Sequence, residues 1–278
     1  MELLRGRHPD LKCELQIIST QGDRDKETPL SIIGGQGVFI KELEHAILSG
    51  EVDCAVHSLK DMPSDLPENL LLAAVLDRHD PRDVLISRHP GGVSGLPEGA
   101  RVGTSSRRRI VQLQQARPDL ETIELRGNID TRISKVHDPD GPYDAAILAA
   151  AGVLRMERSD DVAEFLEPGT FTPAPGQAAL TVECRADDMA TRAILASIHD
   201  DTASLEVEIE RAFLRGIGGG CRSPIGALAQ LHGNQVHLQA MVASEDLTRT
   251  ARYDQMLESA NAIEEAESIA QRMLNEIS

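Results

Sequence analysis

Apolar residues in this chain come in two rhythms: short continuous runs, and stretches where they return every three or four positions. The runs at 14–20, 52–58 and 70–76 predict strands. Between the first two, residues 38–49 set Phe39, Leu43 and Ile47 on one face, which predicts a helix stopped by Gly50. Strand, helix and strand with crossover-length links make the pattern of a mostly parallel sheet. A polar stretch at 77–83, marked by Pro81, predicts a hinge.

A second α/β unit follows. Strands are expected at 84–87, 101–104, 122–125 and 145–149. One helix opens after Ser105-Ser106 and stops before Pro118, a second has Asn128 as its N-cap, and a short third runs through Arg155. After the Pro/Gly break at 171–177, a strand at 178–183 and a helix to about 197 are expected to return to the first sheet. Two crossings predict two lobes around a cleft. The last stretch reads as a helix at 204–215, a Gly-rich loop, three strands at 225–231, 235–243 and 249–256, and an amphipathic helix from about 260. The expected fold class is therefore α/β. Residues 1–77 with 178–198 form the first domain, 82–172 the second, and 201–278 a small α+β third.

Composition narrows the function. A net charge of −17 would repel a phosphate polymer, and 2% aromatic content with no Trp leaves little on which bases could stack. Nucleic acid is not an expected partner. No apolar run reaches membrane-spanning length and the first residues are charged, so neither a membrane span nor a signal peptide is expected. The four cysteines share no metal spacing, and no metal is expected. Reduced thiols and a cytoplasmic location follow.

Three constellations carry candidate chemistry. The strand at 52–58 runs into His57-Ser58-Leu59-Lys60-Asp61-Met62-Pro63, which places Asp61 at a strand end, either as a working carboxylate or as a turn residue. Arginines recur at successive strand–helix edges: Arg107, Arg108 and Arg109, then Arg126, Arg132 and Arg155. In so acidic a chain the set points to a small carboxylate ligand, against the alternative of a solvated basic face. Cys221 lies in Gly-Gly-Gly-Cys-Arg-Ser-Pro, where backbone freedom and Arg222 suit a nucleophile or a covalent attachment point, against the alternative of a free loop cysteine.

Taken together, these stretches resemble the hydroxymethylbilane synthase (porphobilinogen deaminase) family. The resemblance rests on Gly34-Gly35-Gln36-Gly37-Val38-Phe39, Ala55-Val56-His57-Ser58-Leu59-Lys60-Asp61-Met62-Pro63 and Gly103-Thr104-Ser105-Ser106-Arg107-Arg108-Arg109. It continues through Leu125-Arg126-Gly127-Asn128, Pro175-Gly176-Gln177 and Gly219-Gly220-Cys221-Arg222-Ser223-Pro224. It implies two lobes like those of type II periplasmic binding proteins and a third domain carrying a dipyrromethane cofactor in thioether linkage to Cys221. It implies a transferase that condenses four porphobilinogen molecules on this primer and then releases hydroxymethylbilane, for tetrapyrrole and haem biosynthesis.

Asp61 is then the expected catalytic carboxylate. Arg108, Arg109, Arg126, Arg132 and Arg155 are expected to pair with acetate and propionate groups. Ser58, Lys60, Thr104, Ser106 and Gln177 are expected to add hydrogen bonds, and Phe39 to pack near the reacting ring. A monomer is expected. Against the family pattern, Gln36 replaces a lysine, and the family's first strand and most of its first helix are missing before Met1. Two other readings are a non-catalytic two-lobed solute-binding protein and a truncated, inactive copy of the enzyme.

Overall fold

The computed structural model describes residues 1–18, 40–218 and 224–278. The chain divides into two compact units, Met1–Arg78 with Ala179–Glu208, and His79–Ala178 with Ile209–Ser278.

The first unit begins with the short helix α1 (Glu2–Arg7) and continues to α2 (Lys41–Leu48), which Gly50 terminates at a φ of +75°. Its sheet contains β1 (Cys54–Ser58), β2 (Leu70–Val75) and β8 (Leu180–Arg185). β8 lies in the middle and pairs antiparallel with both neighbours. The late strand does return to the first sheet, but it separates β1 from β2 and makes every described pairing antiparallel. The βαβ reading failed because it took strands close in sequence to be neighbours in space. Ile47 packs with Ala55 and Leu70 on one face, and α6 (Met189–Ala196) supplies Leu195 to a cluster with Ala74, Val182 and Cys184.

The strand expected at 14–20 is absent over its described part, residues 14–18, which join no sheet. Leu15 and Ile17 are 75% and 87% exposed. Their apolar alternation suits a strand, yet nothing covers them among the described residues, and alternation without a partner does not make one.

The second unit holds two sheets. The larger is built from β3 (Asp83–Ser87), β4 (Arg101–Gly103), β5 (Glu121–Ile123), β6 (Ala145–Ala149) and β7 (Val162–Leu166) in the order β5-β4-β6-β3-β7. β4 pairs parallel with β5 and β6, whereas β3 pairs antiparallel with β6 and β7. Helices α3 (Arg107–Ala116), α4 (Ile129–His137) and α5 (Ala150–Arg155) connect these strands. Two apolar clusters cover the sheet, one around Leu85, Leu113 and Ile147 and the other around Ile86, Ile133 and Val153. β7 has no counterpart in the sequence reading. It is an edge strand with exposed Ala163 and Glu164, so its burial pattern does not alternate.

The smaller sheet is the antiparallel meander β9 (Ile225–His232), β10 (Gln235–Ala243) and β11 (Thr250–Glu258). The β9–β10 turn is Gly233-Asn234, with Gly233 at a φ of +66°. The helices α7 (Asp201–Gly216) and α8 (Ala262–Ile277) complete the described elements. Within this unit, Val111 of α3 packs with Met241 and Ala243 of β10.

Candidate active site

β1 ends in a single 3₁₀ turn, Leu59–Asp61. The turn is held by the Leu59 amide donating to the Ala179 carbonyl at 3.0 Å and the Met62 amide donating to the Leu59 carbonyl at 3.0 Å. Leu59 and Met62 are buried at 2% and 1% exposure, so both flanks of the turn are anchored while Asp61 stays accessible to solvent. The protein around Asp61 displaces enough water to raise its carboxyl above the usual range, and Lys60 and His57 pull it the other way. Ser58 and Lys60 are half-buried beside it in the chain.

The second unit gathers the arginines. Thr104 follows β4, is buried, and accepts from the Ser106 amide at 3.2 Å, while Ser105 donates its hydroxyl to the Leu125 carbonyl at 3.0 Å. Ser106 is the N-cap residue of α3 and makes no capping bond with its side chain. Arg108 and Arg109 point inward from the first turn of α3. Arg108 donates to Asp83 Oδ2 at 2.8 Å and to the Thr172 carbonyl at 2.6 Å. Arg109 donates to Asp83 Oδ1 at 2.7 Å and to the Ile147 carbonyl at 2.9 Å.

Gln177 is also buried, and its amide donates to Asp83 Oδ1 at 2.9 Å and the Pro81 carbonyl at 2.8 Å. Asp83 is fully buried at the start of β3, and the two guanidinium groups hold its carboxyl far below the usual range against the effect of burial. Sequence reasoning left Asp83 at the end of a polar hinge. The available signal was a carboxylate directly preceding the apolar run Val84-Leu85-Ile86.

Arg132 lies one turn into α4, whose N-cap Asn128 accepts from the Thr131 amide at 2.9 Å. Its Nε donates to the Gly127 carbonyl at 2.7 Å. Burial and the nearby Arg109 both push its pKa down, so Arg109 and Arg132 repel one another. Arg109 Nε is buried without a hydrogen-bond partner among the described residues. One carboxylate, Asp83, thus faces Arg108 and Arg109, and Arg132 adds a third positive charge close by.

The remaining arginines are placed differently. Arg126 pairs with Glu124 at 2.7 Å. Arg155, at the end of α5, donates to the Ala178 carbonyl at 3.0 Å, and partial burial lowers its pKa. The structure therefore brings Arg108, Arg109 and Gln177 together on Asp83, sets Arg132 within electrostatic reach, and leaves Arg126 and Arg155 on other partners. Phe39, Cys221 and Arg222 lie outside the described residues.

A concentration of buried guanidinium groups in excess of their counter-charge suits a ligand with several carboxylates, and a dipyrromethane bearing acetate and propionate groups meets that requirement. Comparison with known proteins leads to the same chemistry. Residues 1–193 match the porphobilinogen deaminase dipyromethane cofactor binding domain, and residues 204–278 match the porphobilinogen deaminase C-terminal domain. The chain is 45% identical over 277 residues to the porphobilinogen deaminase of Syntrophobacter fumaroxidans, covering 97% of this chain and 89% of that protein. It is 44% identical over 272 residues to that of Syntrophus aciditrophicus, covering 98% and 88%. A solved structure that aligns loosely is a probable amino-acid ABC transporter extracellular-binding protein from Bacillus subtilis, at 14% identity and a TM-score of 0.41, covering 70% of this chain and 75% of that one. Two domain matches in the right order and the extended identity to these relatives, together with the excess of buried guanidinium groups, establish that the chain belongs to the porphobilinogen deaminase family.

Proposed function

We propose that this chain is a hydroxymethylbilane synthase, with Asp61 as its catalytic carboxylate. The observation that carries the reading is the pair of buried guanidinium groups, Arg108 and Arg109, that share the single carboxylate of Asp83, with the half-buried Arg132 adding a third positive charge near Arg109. When bound, the dipyrromethane supplies the nucleophilic pyrrole carbon to which porphobilinogen units are added. The arginines would hold its carboxylates, with Arg109 Nε aimed at the ligand, Arg132 anchored through its Nε on the Gly127 carbonyl, and Asp83 fixing the guanidinium planes of Arg108 and Arg109. Arg126 and Arg155 would serve the carboxylates of the incoming units. Ser58, Lys60, Thr104, Ser106 and Gln177 would contribute hydrogen bonds, Gln177 in part by orienting Asp83. Phe39 is assigned to the reacting ring and Cys221 to the tether.

Asp61 has the properties the chemistry needs. Loss of ammonia from porphobilinogen and the coupling that follows develop positive charge on a pyrrole nitrogen. A carboxylate fixed at the end of an anchored turn stabilises that charge more strongly than mobile water does, and it can accept and return a proton. The free thiols of Cys13, Cys54 and Cys184 fit a reducing, cytoplasmic setting, and the reading includes a monomer.

The test is turnover of porphobilinogen by the purified chain, followed as the porphyrin that its product forms on acid closure and oxidation. The wild-type chain forms product, and Asp61→Asn remains folded but slows by about 100-fold or more. Near-wild-type turnover in Asp61→Asn, or no product from the wild-type chain, overturns the reading.

A further inference from the structure

One buried polar side chain beside the arginines has no part in the chemistry above. Gln112 of α3 is 0% exposed, and both ends of its amide are spent on one residue, Thr172. Its Oε1 accepts from the Thr172 amide at 2.7 Å, and its Nε2 donates to the Thr172 carbonyl at 3.2 Å. A backbone amide can only donate and a carbonyl only accept, so these partners fix which way the side-chain amide is turned. Thr172 lies in the Pro/Gly break at 171–177, where no residue belongs to a helix or strand. Backbone groups there must find partners one by one. The Ala227 amide of β9 donates to the Pro173 carbonyl at 2.9 Å, and the Gly176 amide donates to Glu210 of α7 at 2.6 Å. At Thr172, Gln112 stands in for the strand neighbour that this stretch lacks.

The Thr172 carbonyl has a second donor. Arg108 lies four residues before Gln112, on the same face of α3, and its Nη1 donates to that carbonyl at 2.6 Å. The same Nη1 donates to Asp83 Oδ2 at 2.8 Å. The two acceptors take both protons of Nη1. Arg108 has no further acceptor among the described residues, so its Nε–Nη2 edge is left, and such an edge can meet a carboxylate with two parallel hydrogen bonds. Asp83 alone would not aim that edge. A guanidinium held at one oxygen can pivot about that bond, and a second acceptor on the same nitrogen stops it.

We propose that Gln112 is a positioning residue for Arg108: by holding both backbone groups of Thr172, it fixes the second acceptor of Nη1 and so turns the Nε–Nη2 edge of Arg108 toward a carboxylate of the ligand. The inference rests on the proposed role of the arginines in holding the ligand's carboxylates. Without the Gln112 amide the Thr172 carbonyl can tilt, the guanidinium pivots on Asp83, and a two-bond contact with a carboxylate becomes a one-bond contact. The charge facing the ligand is unchanged, and its geometry is lost.

The experiment compares the full chain with Gln112→Met, Arg108→Lys and the double variant. Gln112→Met keeps the length of the side chain and removes both hydrogen bonds, and Arg108→Lys keeps the charge and removes the planar fork. Turnover of porphobilinogen falls about 3- to 10-fold in Gln112→Met and further in Arg108→Lys. The double variant matches Arg108→Lys alone, because no fork remains to be turned. A purely structural Gln112 would multiply the two losses, and that result overturns the proposal. Nitrogen NMR of the arginine side chains needs no activity. Rotation of the Arg108 guanidinium about its Nε–Cζ bond is slow in the wild-type chain and faster in Gln112→Met. Unchanged rotation in a folded Gln112→Met overturns the proposal, and fast rotation in the wild-type chain overturns it even where the variant fails to fold. Multiplied losses alongside an inactive Asp61→Asn defeat this inference and leave the enzyme reading standing. No product from the wild-type chain defeats that reading, and the rotation measurement then decides by itself whether Gln112 holds Arg108.

Discussion

Asp83 shows how much one buried charge can organise. Its two carboxylate oxygens are divided between Arg108 and Arg109, with Gln177 as a third donor, and its exposure is zero. Asp83→Asn would leave two buried guanidinium groups without their counter-charge, a loss of about 3–5 kcal/mol where one partner of a buried pair is removed. The expected result is a clear drop in denaturation midpoint together with loss of bound anionic ligand. The pH dependence follows from the direction of the shift. The folded pKa of Asp83 lies well below its unfolded value of about 3.9, so its contribution is fully present above that value. It is lost as pH falls from there through the depressed folded pKa. Denaturant titrations between pH 7 and pH 3 should therefore show the wild-type chain losing its advantage over Asp83→Asn only below about pH 4. An advantage already lost by pH 6 would assign the acid sensitivity to another group.

At the scale of elements, what was legible depended on how local each element's partners are. The β9–β10–β11 meander and its flanking helices agree with their sequence reading to within three residues, because each strand pairs with its neighbour in the chain and the Gly233-Asn234 turn marks the reversal. The first sheet was legible as strands but not as a sheet, since its central strand enters more than a hundred residues after β2. The candidate site divides in the same way. Asp61 and the arginines stand in motifs that the sequence displays, whereas Asp83 acquires its partners, Arg108, Arg109 and Gln177, from far along the chain. Helix α4 is a local element that bears on the proposed site, for it carries Arg132. Its N-cap, Asn128, was legible, and the expected cost of Asn128→Ala is about 1 kcal/mol. A thermal midpoint lower by about 2–4 °C, with weaker binding of the anionic ligand, is the expected outcome, and Asn128→Asp should restore most of it. An unchanged midpoint would mean that the cap adds nothing to the anchoring of α4.

For the molecule as a whole, the difficulty is electrostatic. A chain with a net charge of −17 handles a primer and a growing product that are themselves rich in carboxylates. In the proposed arrangement the arginines would hold these groups locally, but an intermediate released after any one addition would have to return against the field of the entire chain. A covalent tether removes that requirement, because every addition then starts from a primer already in place. The structure makes two of the other thiols poor candidates for the tether. Burial raises the Cys184 thiol, and burial with the neighbouring Asp53 raises the Cys54 thiol, so neither forms the thiolate readily. Cys221, flanked by three glycines and Arg222, is the residue to test. The expected outcome for Cys221→Ser is a folded chain whose denatured mass lacks the adduct, whereas Cys54→Ser retains it. The variant should also melt at a lower temperature than the wild-type chain, because Arg109 and Arg132 lose the anionic groups that offset their mutual repulsion. An adduct of unchanged mass on Cys221→Ser would move the attachment to another side chain, and a missing adduct with an unchanged midpoint would mean that the tethered carboxylates do not rest on those arginines.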